Sequence, residues 1–436
     1  MTATNRSDLL AAVLTTLLRT SAVLALTAGL ATGLAGSSHA ADADRWSPDL
    51  GAGQGSAVVT GPGGVRLDAR PGRGTEQLGL LTLAPHELTI PTDRIRTALR
   101  ADVPAGATAT VDVRGREAGG EWGEWVPADP DGEIALPEPS SQVQGRIVLT
   151  GGPAAAPVVR AVDLQARPAA RPRIAMSAPQ VLRYRVFATR EGLVGGTTAN
   201  GHVITETDHF VALPSRRALA PKDTGDYTVR VCTARRCGYA PVWDVGPWNT
   251  RDDYWNPADV RQEWAELPQG MPQAQLAHLD GFNGGLDQFG REVLNPAGID
   301  LSDAFFYDLG LDDNAWVRVD YLWTGSGPLG TVGQEPVTVR AAADPDAAEV
   351  GFAGRSARIP ARCLVEGPDG PWLRIDDGQY VPAGAVSWAR QPDACAPQAP
   401  APVTVQAAVG APGSAAEVRA GTEVQAGAPP GEDGGG

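Results

Sequence analysis

The chain has 436 residues and a formal net charge of −15 at pH 7, with 36 Lys and Arg set against 51 Asp and Glu. Holding a nucleic-acid backbone takes a basic face, which this balance excludes, while a neutral glycan stays open as a partner. Fifty-three Gly and 37 Pro argue against one large helical core, so the fold is read as mainly β and multidomain, with short strands between many turns.

At the N-terminus Arg6 and Arg19 precede the apolar run Ser21 to Gly36, which closes on Ser38-His39-Ala40. These are the parts of a secretory signal peptide over 1–40, with cleavage expected after Ala40. The run is about 16 residues and broken by Gly and Thr, short of the roughly 20 that a spanning helix needs. No later stretch is apolar enough to span a bilayer, so no membrane span is expected once the signal is removed, and the chain is expected outside the cell or at its wall. Cysteines in an oxidising compartment pair with one another. Cys232, Cys237, Cys363 and Cys395 all follow the signal and no histidine stands at zinc-finger spacing from them, so the expected bridges are Cys232–Cys237 and Cys363–Cys395, with no metal and no cofactor.

From 46 to 168 apolar and polar residues alternate between turn signals, as in Ala109-Thr-Val-Asp-Val-Arg and Val158-Val-Arg-Ala-Val-Asp-Leu. Period two over such short runs predicts half-buried antiparallel strands in a β-sandwich. Here Val111-Asp-Val-Arg-Gly-Arg followed by Gly123-Glu-Trp125 resembles the β-rich leader domains that precede wall amidases in secreted bacterial proteins. Trp122 and Trp125 either stack on a sugar or pack at a strand edge. Residues 169–179, rich in Ala, Pro and Arg, read as a linker.

The span 180–325 holds His202, His209 and His278, three of the four histidines left after the signal, and six of the eleven tryptophans. Aromatic and titratable groups are what a binding cleft needs, so function is placed here. Tyr227-Thr-Val-Arg-Val-Cys and Tyr239-Ala-Pro-Val-Trp read as two strands of a hairpin stapled by Cys232–Cys237. Asp244 follows at a strand end before Gly246-Pro247, where a carboxylate either caps backbone N–H groups or faces a cleft. Asp300 sits between Ile299 and Leu301, so it must be paired, protonated or functional. Between them lies a long insertion, Trp248 to Ala297, read as short helices over Asp259–Glu266 and Pro272–Leu279. Trp248 and Tyr254 then either wall one side of a groove or join a satellite core. Asp280 to Asp287 lacks the ligand spacing of a calcium loop.

Four segments of this span, Thr197-Thr-Ala-Asn-Gly201, His209-Phe-Val-Ala-Leu-Pro-Ser215, Pro241-Val-Trp-Asp-Val-Gly-Pro247 and Gly298-Ile-Asp-Leu-Ser302, stand in the order seen in rare-lipoprotein-A-like proteins. The resemblance, shared with expansins, covers about a third of the chain and implies a six-stranded double-psi β-barrel with the insertion added to it. It also implies that Asp244 and Asp300 lie on one groove for peptidoglycan or a related polysaccharide, with His209 orienting an aspartate or donating to substrate. Asn200, Trp243, Trp248 and Tyr254 are the accompanying substrate-binding candidates. One departure stands out: the lytic relatives have an acidic residue after Thr-Ala-Asn-Gly, where this chain has His202, with Glu206 four positions on as a substitute. The resemblance therefore implies either a lytic transglycosylase or an expansin-like protein that binds wall polysaccharide without cutting; a structural or adhesive role is the third reading.

Beyond a second short linker, Pro336-Val-Thr-Val-Arg-Ala-Ala, Trp372-Leu-Arg-Ile and Tyr380-Val-Pro-Ala-Gly-Ala-Val over 332–395 resemble bacterial Src-homology-3-like wall-binding modules, small β-barrels. The opening recurs at Pro402-Val-Thr-Val-Gln-Ala-Ala without the Trp strand, so 396–436 is expected to be a disordered tail with a truncated repeat.

Overall fold

The computed structural model describes residues 44–70, 77–168 and 180–396. The expected signal peptide, first linker and tail fall outside these residues. Among those described, the chain is mainly β and no helix is long and apolar enough to cross a membrane.

Six strands close into a barrel: β1 Leu182–Arg190, β2 Val211–Leu213, β3 Thr228–Cys232, β4 Cys237–Val245, β5 Ala297–Leu301 and β6 Ala315–Tyr321. Round the barrel the order is β2-β5-β1-β6-β3-β4 and back to β2. Two neighbours are parallel, β1 with β5 and β2 with β4; the other four pairs are antiparallel. The alternation in these segments places Val186, Ala188, Val229, Val231, Val317 and Val319 inside, each at most 2 % exposed. Burying one such side chain contributes about 1.5–3 kcal/mol, and a closed barrel leaves no edge for pairing with another chain.

The N-terminal strands depart from expectation. Alternation predicts a sandwich of two sheets, whereas the strands hydrogen-bond into one ten-stranded sheet. Its edge strands, Gln54–Ser56 and Val58–Gly61, are separated in the chain by Ala57 alone, so the sheet curls until its two edges meet. The curling runs through two long strands, His86–Asp102 and Glu133–Gly151, whose mutual register breaks on either side of Thr92. Pro91, Pro137 and Pro139 lie in that stretch, and a proline has no N–H to give to the ladder.

The C-terminal segment is joined to the barrel by more than a linker. Its first strand, Leu329–Val332, begins soon after Gly325, and Glu349–Ala353 pairs in parallel with β4 through Cys237↔Gly351 and Tyr239↔Ala353. The barrel ladder thus continues into this segment.

Both expected disulfides form, with Cα separations of 4.1 Å for Cys232–Cys237 and 4.8 Å for Cys363–Cys395. The first closes a loop of 5 residues and the second one of 32, for which loop-closure entropy gives about 2 and about 4 kcal/mol. Replacing Cys363 and Cys395 by Ser should therefore lower the urea midpoint more than replacing Cys232 and Cys237. The reverse order in parallel denaturation curves would show that strain or residual structure outweighs loop length here.

In the insertion, one of the two expected helices exists, Gln273–Asp280. The segment 259–266 is a series of turns: Val260 and Arg261 N–H both donate to Pro257 O, and Trp264 is left-handed at φ 58°. Side chains divert this backbone from a helix. Asp253 Oδ1 accepts from Gln262 N–H at 2.8 Å, and Arg261 is fixed on the buried Asp252.

Candidate functional site

Barrel register brings the two aspartates together. Ala212 of β2 is the cross-strand partner of Asp244 in β4 on one side and of Asp300 in β5 on the other. Register shifts at Val211/Ala212 and Phe187/Ala188 accompany this crossing, as bulges do where a side chain is re-aimed. A third carboxyl joins them. Glu191 follows the end of β1, its N–H donating to Leu301 O at 2.9 Å, and its side chain hydrogen-bonds Asp244.

The three acids are held differently. Asp244 Oδ1 accepts from the backbone N–H groups of Ala199 at 2.8 Å and Val245 at 2.7 Å. Burial pushes its carboxyl up, and the hydrogen bonds from Glu191 and these two amides oppose that rise. Glu191 is pushed far up, first by burial and then by the charge of Asp244, and its Oε2 is buried with no partner. The neutral form of Glu191 is the one that suits this setting, its proton shared with Asp244. Asp300 is pushed up to about 7, by burial first and by the Asp244 charge in addition, while the Thr189 hydroxyl that donates to its Oδ1 holds it down. All three keep partial solvent contact. The cluster thus offers one anion, one neutral acid and one carboxyl that exchanges its proton near neutrality, which is equipment for general acid–base chemistry.

The other sequence candidates go elsewhere. His209 does not orient either aspartate: its Nε2 is 2.8 Å from Asp308 Oδ2, its Nδ1 is buried and unpartnered, and its ring packs on Phe305 and Phe352. His202 is buried, with Nε2 2.7 Å from Asp208 Oδ2 and its ring against Trp243. Arg355 completes that group, 3.3 Å from Asp208 and over the Trp243 ring. The carboxylate beside His202 is therefore Asp208 and not Glu206, which is exposed.

Trp243 is fully buried in the barrel core, its Nε1 donating to Thr224 O, and so is no groove wall. Tyr254 is also fully buried, bonded to Tyr321 OH at 2.7 Å, and packs into the main barrel core, so it neither walls a groove nor joins a satellite core. Trp248 is partly exposed and packs against Ala274, Ala277 and Val293 while its Nε1 donates to Asn295. Asn200 shapes the turn that serves Asp244: its Oδ1 accepts from Thr198 Oγ1 and from His202 N–H.

Trp122 and Trp125 are buried too, at 7 % and 1 % exposure, and neither has a face for sugar. They flank Arg114, whose guanidinium carbon lies 4.5 Å from each ring centroid, and Trp125 Nε1 donates to Leu219 O on the barrel side.

Glu191 and Thr189 escaped the sequence reading. One local signal exists, since Thr189-Arg-Glu-Gly192 ends an alternating strand and Gly192 is left-handed at φ 69°. An acid at such a corner projects from the barrel end. Among the described residues no group of three or more His, Cys, Asp or Glu is arranged to hold a metal ion.

No curated protein matches the chain. A family model described as a domain of unknown function (DUF8814) matches residues 182–320, so the region similar to that family runs from the first strand of the barrel to the last.

Proposed function

We propose that this is an exported wall-associated protein whose barrel, of the double-psi type found in rare lipoprotein A and expansins, binds peptidoglycan or a similar polysaccharide and cleaves it without water. The two parallel pairings within six closed strands, the order of the four motifs and the pair of disulfides support that reading. The observation that carries it is the meeting of Glu191, Asp244 and Asp300 at Ala212, with Asp300 titrating near neutrality.

In the proposed reaction Asp300 gives its proton to the glycosidic oxygen and the C1–O bond breaks. The 6-hydroxyl of the same muramyl ring then bonds to C1, and its proton returns to the Asp300 carboxylate. Asp244, anionic between two amides, stabilises the positive charge that develops at C1, and neutral Glu191 spares the cluster a third charge.

The test is to incubate the full chain with purified peptidoglycan and examine the released fragments by mass spectrometry. Anhydro-muramyl ends that vanish in Asp300→Asn and persist in Glu191→Gln, the neutral isostere, are the expected result. Reducing ends in their place, or no release by the wild type, would sink the lytic step. The His202 departure favours a second reading, expansin-like binding without cleavage: pull-down on insoluble wall that Asp244→Asn weakens, with no fragments released, would establish it.

A further inference from the structure

A crevice of 310 Å³ lies between the N-terminal sheet and the barrel, on the far side of the turn that serves Asp244. Its walls include Ser56, Thr82 and Arg146 from the sheet and Asn200, Lys222 and Asp223 from the barrel. The two sides meet closely. Gly201, at φ 91°, holds a backbone conformation that favours glycine, and a Cβ there would press on Ser56 Cβ at 3.0 Å. Below the crevice Leu80 and Val148 of the sheet pack on Leu219, Ala199 and Val245 of the barrel. One turn therefore does two things: Ala199 N–H holds Asp244 while the next residue, Asn200, lines the crevice.

The lining has unused polar capacity. Arg146 is 2 % exposed; its Nη2 is taken by Asp112 at 2.6 Å and by Arg216 O at 3.0 Å, but its Nε is buried with no partner. The hydroxyls of Ser56 and Thr82 make no side-chain hydrogen bond among the described residues. Lys222 stands exposed at the rim, is the sole lysine of the chain and forms no ion pair among the described residues. The volume is that of about ten waters and falls at the small end of ligand sites. An apolar floor under hydroxyl and cationic groups suits a sugar ring, which has an apolar face, polar edges and here an acidic substituent.

We propose that this crevice is a second saccharide site, taking one carboxylate-bearing sugar ring whose acid group pairs with Lys222 while ring oxygens meet Arg146 Nε and the two hydroxyls. It rests on the proposed function for the kind of sugar; it would make the N-terminal sheet part of substrate recognition and place a bound unit across one turn from the acid cluster.

The single lysine makes the test direct. In the full chain Lys222 and the N-terminal amine are the two amines that acetic anhydride acylates, so the labelling of Lys222 relative to the terminus, read by mass spectrometry at the peptide level, reports occupancy. N-acetylmuramic acid at about ten millimolar is expected to slow Lys222 acetylation several-fold, whereas N-acetylglucosamine, which lacks the carboxylate, and acetate, which lacks the ring, do not. Ser56→Val together with Thr82→Val should abolish the protection; Asp300→Asn should keep it. Equal labelling with and without N-acetylmuramic acid overturns the proposal, as does equal protection by acetate or survival of protection in the Ser56/Thr82 variant. Protection in a protein that releases no wall fragments would keep the crevice and remove the acid cluster as its cutting partner, so the two readings fail separately.

Discussion

Asp300→Asn should abolish wall cleavage and at the same time make the protein more stable above neutral pH. Loss of a general acid lowers turnover by roughly 100- to 10,000-fold. In the wild type the proton donor is the neutral carboxyl, so cleavage should fall about tenfold per pH unit once the pH passes the Asp300 value of about 7. The stability effect has the opposite sense. The folded state holds this carboxyl's proton more tightly than the unfolded chain does, so wild-type stability declines as pH rises from about 4 to about 7 and is flat beyond. Asparagine stays neutral throughout and its oxygen still accepts from Thr189, so the variant should gain on the order of 2–4 kcal/mol at pH 8, towards the lower figure because Asp300 keeps partial solvent contact, and nothing at pH 4. Urea denaturation of both proteins at the two pH values checks this. A cleavage rate that is level from pH 6 to 9, or a variant no more stable at pH 8, would refute the assignment.

The second large effect is expected at Glu124, which makes no contact with the three acids among its bonds. Its Oε1 accepts from Trp255 Nε1 at 2.6 Å and Trp323 Nε1 at 2.9 Å, and its Oε2 accepts from Asn256 Nδ2 at 2.8 Å and pairs with Arg217 at 3.2 Å. One carboxylate from the irregular segment before the strand Val126–Pro127 thus ties together the insertion, the end of the barrel and the segment after β2. Alanine there leaves two indole N–H groups without an acceptor and removes one of two anions from Arg217, which is 7 % exposed. Breaking such a buried pair costs about 3–5 kcal/mol. Glutamine, which retains an accepting oxygen, should cost less. Glu124→Ala should lower the urea midpoint and expose the junction between sheet and barrel to limited proteolysis. A shift below about 0.5 kcal/mol, typical of surface substitutions, would mean that solvent replaces these bonds freely.

Much of the architecture could be read along the chain. Alternation of apolar residues marks strands because it operates within a few residues, and the hairpin Thr228–Cys232 with Cys237–Val245 stands where that pattern puts it, while the barrel followed from the resemblance of four motifs and the two disulfides from the cysteine count. Asp244 and Asp300 were visible for the same reason, each standing out against its immediate neighbours. What lay beyond local pattern is whatever depends on which strands become neighbours. Register alone seats Glu191 on Asp244, and its absence from the sequence reading follows from an ordinary Thr-Arg-Glu-Gly strand end. The partners of His209 and His202 turn out to be Asp308 and Asp208, because short side chains take the nearest carboxylate the packing provides. Trp122, Trp125, Trp243 and Tyr254 all look like sugar platforms in one dimension. Each is buried at a junction between elements distant in the chain, since large rings contribute most where they are wholly removed from water. Residue type announces which groups can do chemistry, and only the closing of the barrel, by fixing distance and desolvation, sorts those that share a proton from those that hold the walls together.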